Sequence, residues 1–595
     1  MYISELKLWN FRKYGSRSFN LNKPDLIVPF FKGLNLLIGE NDSGKSAILD
    51  AIKLVLKTHA YEWIKVDDSD FFIDENKNKS EKLRIEIHFS GISNVEAKNF
   101  IEWCGWEEEV NNDKKEMRPK LILIYQAEIR DNRIIPSDVK AGMDGTGHLL
   151  NAEAKDFLKC TYLKALRDAD SELTAKKNSR LSEILQKHKL FTKKKGEDHP
   201  FETDFKGINN KIENHFAKNA DSNLYYQQIK SIIDKYLEKF IDNKTLSLFS
   251  LGKPEIKNIL EKLNLGITEN SNLGLGTMNR LFMAAELLHL KRDWDGLKLC
   301  LIEELEAHLH PQAQMKIINA LIEEADKGIQ FILTTHSPNI ASKVDLNSLI
   351  ICKNNSVFPM GEGNTKLEKG NYNYLKRFLD VTKSNLFFSK GVIIVEGWSE
   401  EILIPEIASK LGYNLISEEI SIINVASVAY LHFAKIFLRT DKDKKMNVPV
   451  AIVTDLDNRP DNNGIFKRIG NETDAIKTKF KNLEGLKKQL EGTDITLELA
   501  KEWTLEWCLF NSPTLSELFK KSLKEVHPTI FKQNFDEFIP MLKKERTTKL
   551  NKVKLASNLA DKIKKDKKIT KDSFEKDEYL KYIILSIKQA CNDRN

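Results

Sequence analysis

Residues 39–46 read Gly39-Glu40-Asn41-Asp42-Ser43-Gly44-Lys45-Ser46, a complete GxxxxGK[ST] pattern. Before it, Leu34–Ile38 is apolar and strand-like; after it, residues 47–56 carry apolar side chains at helical spacing. A glycine-rich turn between a strand and a helix is the setting in which this pattern acts as a phosphate-binding loop. Gly39 and Gly44 free the backbone to curl its N–H groups around phosphate oxygens, with Asn41 and Ser43 in the same cradle. The helix N-terminus that follows adds its partial positive charge. Lys45 reaches the β and γ phosphates, and Ser46 offers a hydroxyl to Mg²⁺. The ligand expected here is ATP.

Working outward, Leu297-Lys298-Leu299-Cys300-Leu301-Ile302 is a short buried strand that delivers Glu303 and Glu304. In a Walker B role Glu303 holds the metal, directly or through water, and Glu304 polarises the attacking water. Two surface glutamates after a strand are the bland alternative, which the upstream loop weakens. His336 follows the strand at 330–334, in Thr334-Thr335-His336-Ser337-Pro338. Alone it would read as a structural histidine. Leu273-Gly274-Leu275-Gly276-Thr277-Met278-Asn279 precedes an apolar helix. Together these segments resemble an ABC-type ATPase. The resemblance makes His336 the switch histidine that senses the γ-phosphate. It makes Gly274 and Gly276 part of a signature that meets the nucleotide held by a second subunit, and so implies two heads. No serine precedes Gly274, so the signature is degenerate. Residues 304–311, Glu-Leu-Glu-Ala-His-Leu-His-Pro, resemble the extended Walker B and D-loop of the RecF, SMC and OLD branch. Arg12 is a weaker candidate for the base or sugar side of the nucleotide, and Gln126 for a Q-loop glutamine.

A second α/β pattern begins at residue 391. Val392-Ile393-Ile394-Val395 ends in Glu396-Gly397-Trp398-Ser399-Glu400, and Val450-Ala451-Ile452-Val453-Thr454 ends in Asp455-Leu456-Asp457. Each buried strand presents acids at its carboxyl end, where α/β sheets place their sites. Clustered carboxylates are costly unless cations neutralise them, and hard oxygen ligands select Mg²⁺ or Mn²⁺. Either pair alone is weak; both together, in this order, resemble a Toprim domain with its EGxxE and DxD elements. With an ATPase upstream, the whole chain resembles the OLD-family ATP-dependent endonucleases, the Gabija nuclease included. That resemblance adds Glu506, in Trp503-Thr504-Leu505-Glu506, as a further metal ligand, against a plain helix-surface glutamate. It also adds Lys552 as the active-site lysine that stabilises charge on the scissile phosphate. Lys554 could fill that role instead, and a solvated lysine is the bland reading of either. The family carries a glycine after the strand at 420–425; this chain has Ala426-Ser427.

The fold expected is therefore α/β. An ABC ATPase head spans 1–160 and 256–385, interrupted by a helical insertion at 161–255. A Toprim domain spans 386–515, and a helical, Lys-rich region spans 516–595. The insertion contains Tyr162-Leu163-Lys164-Ala165-Leu166-Arg167-Asp168-Ala169, which resembles an OLD segment. The family uses the insertion to dimerise, while its Arg–Asp pair could equally be a helix salt bridge. The function implied is two-metal phosphodiester hydrolysis on DNA, gated by ATP, in anti-phage defence. The implied assembly is a homodimer or higher homo-oligomer, with a helicase or other defence protein encoded nearby as a further partner. The rivals are an SMC-like DNA-repair ATPase clamp, or a nucleotide sensor whose Toprim acids are inactive.

Composition agrees with this in outline. The 595 residues carry a net charge of +7, which neither requires nor excludes nucleic acid. Residues 541–571 hold twelve Lys/Arg against three Asp/Glu; composition alone favours a solvated helical face over a phosphate-tracking surface. Six scattered cysteines read as small buried hydrophobes in a reducing compartment. No long uncharged apolar run is present, and Tyr2–Trp9 alternates like a strand rather than a signal peptide. A cytoplasmic, non-membrane protein is expected.

Overall fold

The computed structural model describes residues 1–593 except 17, 61, 112–113, 165–171, 194–195, 217–223, 241–245, 269–273, 293–294, 427–428, 442, 458–473 and 544–548. Leu273, residues 165–169 and Ser427, singled out above, lie outside the described residues. The chain forms two compact units. One comprises Met1–Asn35 and Ser46–Thr334, the other Leu36–Lys45 and Thr335–Asn595.

In the first unit, Tyr2–Trp9, Leu26–Pro29, Lys82–Ser90 and Lys114–Arg130 pair antiparallel, with Leu6 opposite Ile87 and Ile87 opposite Leu123. Leu83, Ile85, Ile87 and Phe89 alternate onto one buried face, the period a half-covered strand requires. Thr161–Leu163, Leu299–Ile302 and Gln330–Thr335 instead pair parallel. The last two are buried throughout, as strands with both faces covered must be. Gln330 ties the two arrangements together: its side chain accepts from the Ile3 N–H and donates to the Ile3 carbonyl, both at 2.8 Å. The parallel strand Thr161–Leu163 stands at the very start of the stretch expected to be a helical insertion. Beyond it, Pro200–Phe216 and Leu224–Phe240 are helices. The buried Arg180 joins the short helix Arg180–Gln186 to helix Leu275–Leu290, pairing with Glu183 at 2.8 Å and Glu286 at 2.6 Å.

In the second unit, Leu36–Ile38 runs parallel to Leu349–Ile351. The hairpin from Leu349–Lys353 to Ser356–Pro359 turns through Asn354 and Asn355, both left-handed, as a tight hairpin turn demands. A separate parallel sheet has the order Ile420–Asn424, Gly391–Val395, Val450–Thr454, Ile495–Leu499. Helices Trp398–Leu411, Ser516–Val526, Lys552–Lys565 and Lys581–Ala590 share one core with it, so the Toprim strands and the Lys-rich C-terminal region are packed together. Helix Lys552–Lys565 turns Leu555, Ala556, Leu559 and Ile563 inward and leaves Lys554, Lys564 and Lys565 exposed. At Gly391 a Cβ would lie 2.1 Å from the Ala590 carbonyl oxygen, so only glycine lets the last helix close over the start of that strand.

All six cysteines are free, with Cys160, Cys300, Cys352 and Cys508 buried. Among the described residues no helix is long and apolar enough to cross a membrane.

Candidate active site

The phosphate loop follows strand Leu34–Ile38 and opens helix Lys45–Leu56. Gly39 has φ +150°, and a Cβ there would meet the Cys352 carbonyl oxygen at 2.3 Å, so glycine is obligatory. Lys45 is buried and folds back over the loop, donating to the carbonyls of Gly39 (3.0 Å) and Glu40 (2.7 Å) and to the Ser43 hydroxyl (3.1 Å). Asn41 and Ser46 are exposed. The Walker B acids sit in the first unit, at the end of strand Leu299–Ile302. Glu303 accepts a 2.7 Å hydrogen bond from the Tyr162 hydroxyl, which burial and Glu303 together hold protonated. Glu304 adopts φ +42°, a region a non-glycine residue seldom occupies, and its N–H donates to Thr334 Oγ1 at 3.0 Å. Gly274 caps helix Leu275–Leu290 at an exposed end, and a Cβ on Gly276 would lie 2.6 Å from the His308 carbonyl oxygen. His336 follows strand Gln330–Thr335 and is half-buried. Arg12 is engaged by Asp50 (2.7 Å) and Asp70 (2.9 Å), and Gln126 lies within the antiparallel sheet opposite Arg84.

The acids of the second unit converge. Strands Gly391–Val395 and Val450–Thr454 are adjacent and parallel, with Val395 opposite Val453, so both chains emerge at one sheet edge. Glu396 accepts from the Thr454 hydroxyl across that edge. Glu400 sits a turn into helix Trp398–Leu411 and is 8% exposed; Glu506, in helix Leu505–Asn511, is 3% exposed. Asp455 Oδ1 accepts from the Leu505 N–H at 3.0 Å, which brings the Glu506 helix to the DxD turn. Glu506 takes a 2.8 Å ion pair from Lys552 and a 3.4 Å bond from the Ser399 hydroxyl. Asp457 is exposed and left-handed at φ +57°, with its N–H donating to the Trp503 carbonyl at 3.0 Å. Lys554 lies two residues along the same helix as Lys552 and is exposed.

Electrostatics mark this as one site. Burial and the neighbouring Glu506 push the Glu400 carboxyl up to about 7. Burial, Glu400 and Glu506 raise Asp455 well above the ordinary carboxylate range. Lys552 is held above its ordinary value by Glu506, Asp455 and Glu400, against the effect of burial. One lysine faces four acids, and the remaining repulsion is the condition a divalent cation relieves. Among the described residues, no three His, Cys, Asp or Glu already close around a common point. Three of the four carboxylates instead satisfy themselves on a neighbour: Glu396 on Thr454, Asp455 on Leu505, Glu506 on Lys552. The donor set of Glu396, Glu400, Asp455 and Glu506, with Asp457 at the exposed rim, fits a hard divalent cation.

Several neighbours carry no signal in a single sequence: Thr454, Ser399 and Tyr582. The Tyr582 hydroxyl is buried without a hydrogen-bond partner and feels Asp455, Glu400 and Glu506. Tyr162 was quoted only as part of a family-like segment, and its bond to Glu303 spans 141 positions. Ala426, where the family carries glycine, has φ +51°, the backbone conformation a glycine would adopt there, at a cost of roughly 1–2 kcal/mol for alanine.

Head and acid pocket together define a nucleotide-binding ATPase joined to a Toprim domain. The family description "AAA ATPase domain" matches residues 1–341, and "Overcoming lysogenization defect protein-like, TOPRIM domain" matches residues 387–457. The chain belongs to the AAA ATPase domain family, and its residues 387–457 form an OLD-like Toprim domain. It is similar to the endonuclease GajA of Bacillus cereus (strain HuB5-5), 23% identical over 94% of each chain. It is also similar to the Old nuclease of Escherichia phage P2, 23% identical over 71% of this chain and 72% of that one. The Retron Ec83 probable ATPase of Escherichia coli is 27% identical over 36% of this chain and 39% of its own length.

Proposed function

We propose that this chain is an ATP-binding, divalent-metal-dependent DNA endonuclease, acting in defence against phage as the OLD resemblance implies. The observation that carries the reading is the convergence of Glu396, Glu400, Asp455 and Glu506 beside Lys552 at one edge of a parallel sheet. Mg²⁺ or Mn²⁺ bound there supplies an acidified water and neutralises the scissile phosphate. Glu396, Asp455 and Asp457 would hold it, with Glu400 and Glu506 completing the set. Lys552, whose side chain is 43% exposed, faces incoming substrate and stabilises charge developing on phosphate, while Glu506 fixes its position. In the head, Lys45 and the loop of Gly39, Asn41, Ser43, Gly44 and Ser46 cradle ATP. Glu303 is oriented by Tyr162, Glu304 polarises water, His336 senses the γ-phosphate, and Gly274 with Gly276 addresses a second head.

A homodimer is supported by the exposed face of helix Leu224–Phe240. It exposes Tyr226, Ile229, Ile232, Ile233, Tyr236 and Phe240, several at three- and four-residue spacing, which makes a seam for a second copy.

The test is cleavage of plasmid DNA with Mg²⁺ or Mn²⁺ by wild type and Glu396→Ala. A loss of roughly a hundredfold or more is expected; equal cleavage overturns the site. Phosphate release should fall comparably in Glu304→Ala, and an unchanged rate assigns the head a binding role only.

A further inference from the structure

The second unit contains a cavity of about 590 Å³ lined by residues that lead into strand Val450–Thr454 and that open strand Ile495–Leu499. At ~3.3 Å per residue, the five-residue strand places roughly 17 Å between this cavity and Asp455. It is therefore separate from the acid pocket.

Arg439 lines its wall, with its guanidinium set against Pro359, Met360 and the Phe358 ring. Arg439 is 8% exposed and forms no ion pair with any described residue. Its Nη1 donates to the Pro359 carbonyl at 2.8 Å, and its Nε is buried with no acceptor. Burial pulls the Arg439 pKa down to about 10, with Tyr372 and Asp441 offsetting only part of that cost. A charge taken out of water in this way calls for a counter-charge. Lys366 and Lys445 line the same cavity, Lys445 being exposed.

The rest of the wall narrows the choice of anion. Phe437, itself nearly buried, supplies an aromatic surface of the kind on which a nucleobase stacks. Asp441, Asp443, Glu491 and Asp494 supply acceptors. These acids disfavour a polynucleotide backbone, which carries a negative charge at every step. They suit a small molecule with one phosphoryl end and N–H or O–H donors elsewhere, and the volume is in the range of small-ligand pockets.

We propose that this cavity is a second nucleotide site. It takes a free nucleoside phosphate, with the phosphoryl group on Arg439 and Lys445, the base against Phe437, and base or sugar donors on the carboxylates. The test is equilibrium dialysis of the full chain in metal-free buffer with labelled dAMP, dGMP, ADP and inorganic phosphate. The chain carries Lys45→Ala so that the phosphate loop does not contribute. Saturable binding of one nucleotide per chain is expected, weakened about tenfold or more by Arg439→Gln and by Lys445→Ala. Lys445 is exposed, so its replacement keeps the readout valid if Arg439→Gln disturbs folding. No saturable binding at millimolar nucleotide overturns the proposal, as does binding that neither variant weakens. Inorganic phosphate binding as tightly as the nucleotides overturns the nucleoside assignment.

Discussion

At Glu400, burial and the adjacent Glu506 both oppose ionisation, and Glu396 adds to them. Its carboxyl titrates near 7 in the fold, against an ordinary value of 4.5. The folded state therefore binds the extra proton between those limits. Its destabilising effect is full above pH 7 and fades as the pH falls toward 4.5. Glu400→Gln removes that effect. In chelator, the variant should unfold at higher denaturant than wild type at pH 8. The gap should shrink by about 1.4 kcal/mol for each pH unit between 7 and 4.5. A gap that does not change with pH contradicts the assignment of the shift to this carboxyl. Glu396 and Asp455 were legible in the sequence because each directly follows a buried, largely β-branched strand, and Asp457 because it completes the DxD pair with Asp455. Tyr582 was not legible, since its only mark is a hydroxyl left unpaired by helix packing 127 residues beyond Asp455.

Among the elements, those read correctly are those whose information is local. The strand, loop and helix around residues 34–56 carry period and punctuation within twenty-odd positions, and the Val/Ile runs at 391–395 and 450–454 can only be covered strands. Strand Lys114–Arg130 begins well before its apolar run at 121–125, because its polar first half is held by backbone pairing with Gly105–Asn111 rather than by apolar alternation. Thr161–Leu163 is three residues long and owes its existence to pairing with Leu299–Ile302, which lies far along the chain. Gly391 illustrates an element set by a distant neighbour. Gly391→Ala should lower the unfolding free energy by about 1–3 kcal/mol in denaturant titration, the usual cost of overpacking. An unchanged midpoint would mean that the helix ending at Ala590 is free to move away from the strand.

At the scale of the molecule, sequence distance hides the chemistry. Glu396 meets Thr454 across 58 positions, Lys552 meets Glu506 across 46, and Tyr162 meets Glu303 across 141. Motifs name the acids, but only topology supplies the hydroxyls and the cation that position them. Assembly belongs to this scale as well. Ile232→Lys, mid-seam on helix Leu224–Phe240, should lower the mass measured by light scattering from that of a dimer to that of a single chain. An unchanged mass places the dimer contact elsewhere. Finally, helix Lys581–Ala590 packs against the strands that carry Glu396 and Asp455. A nascent chain emerging from the ribosome thus lacks the covering that holds these acids in register until residues 581–590 have been released. A product truncated before residue 581 would present bare sheet to quality-control proteases, so the acids come together only in copies that carry this helix.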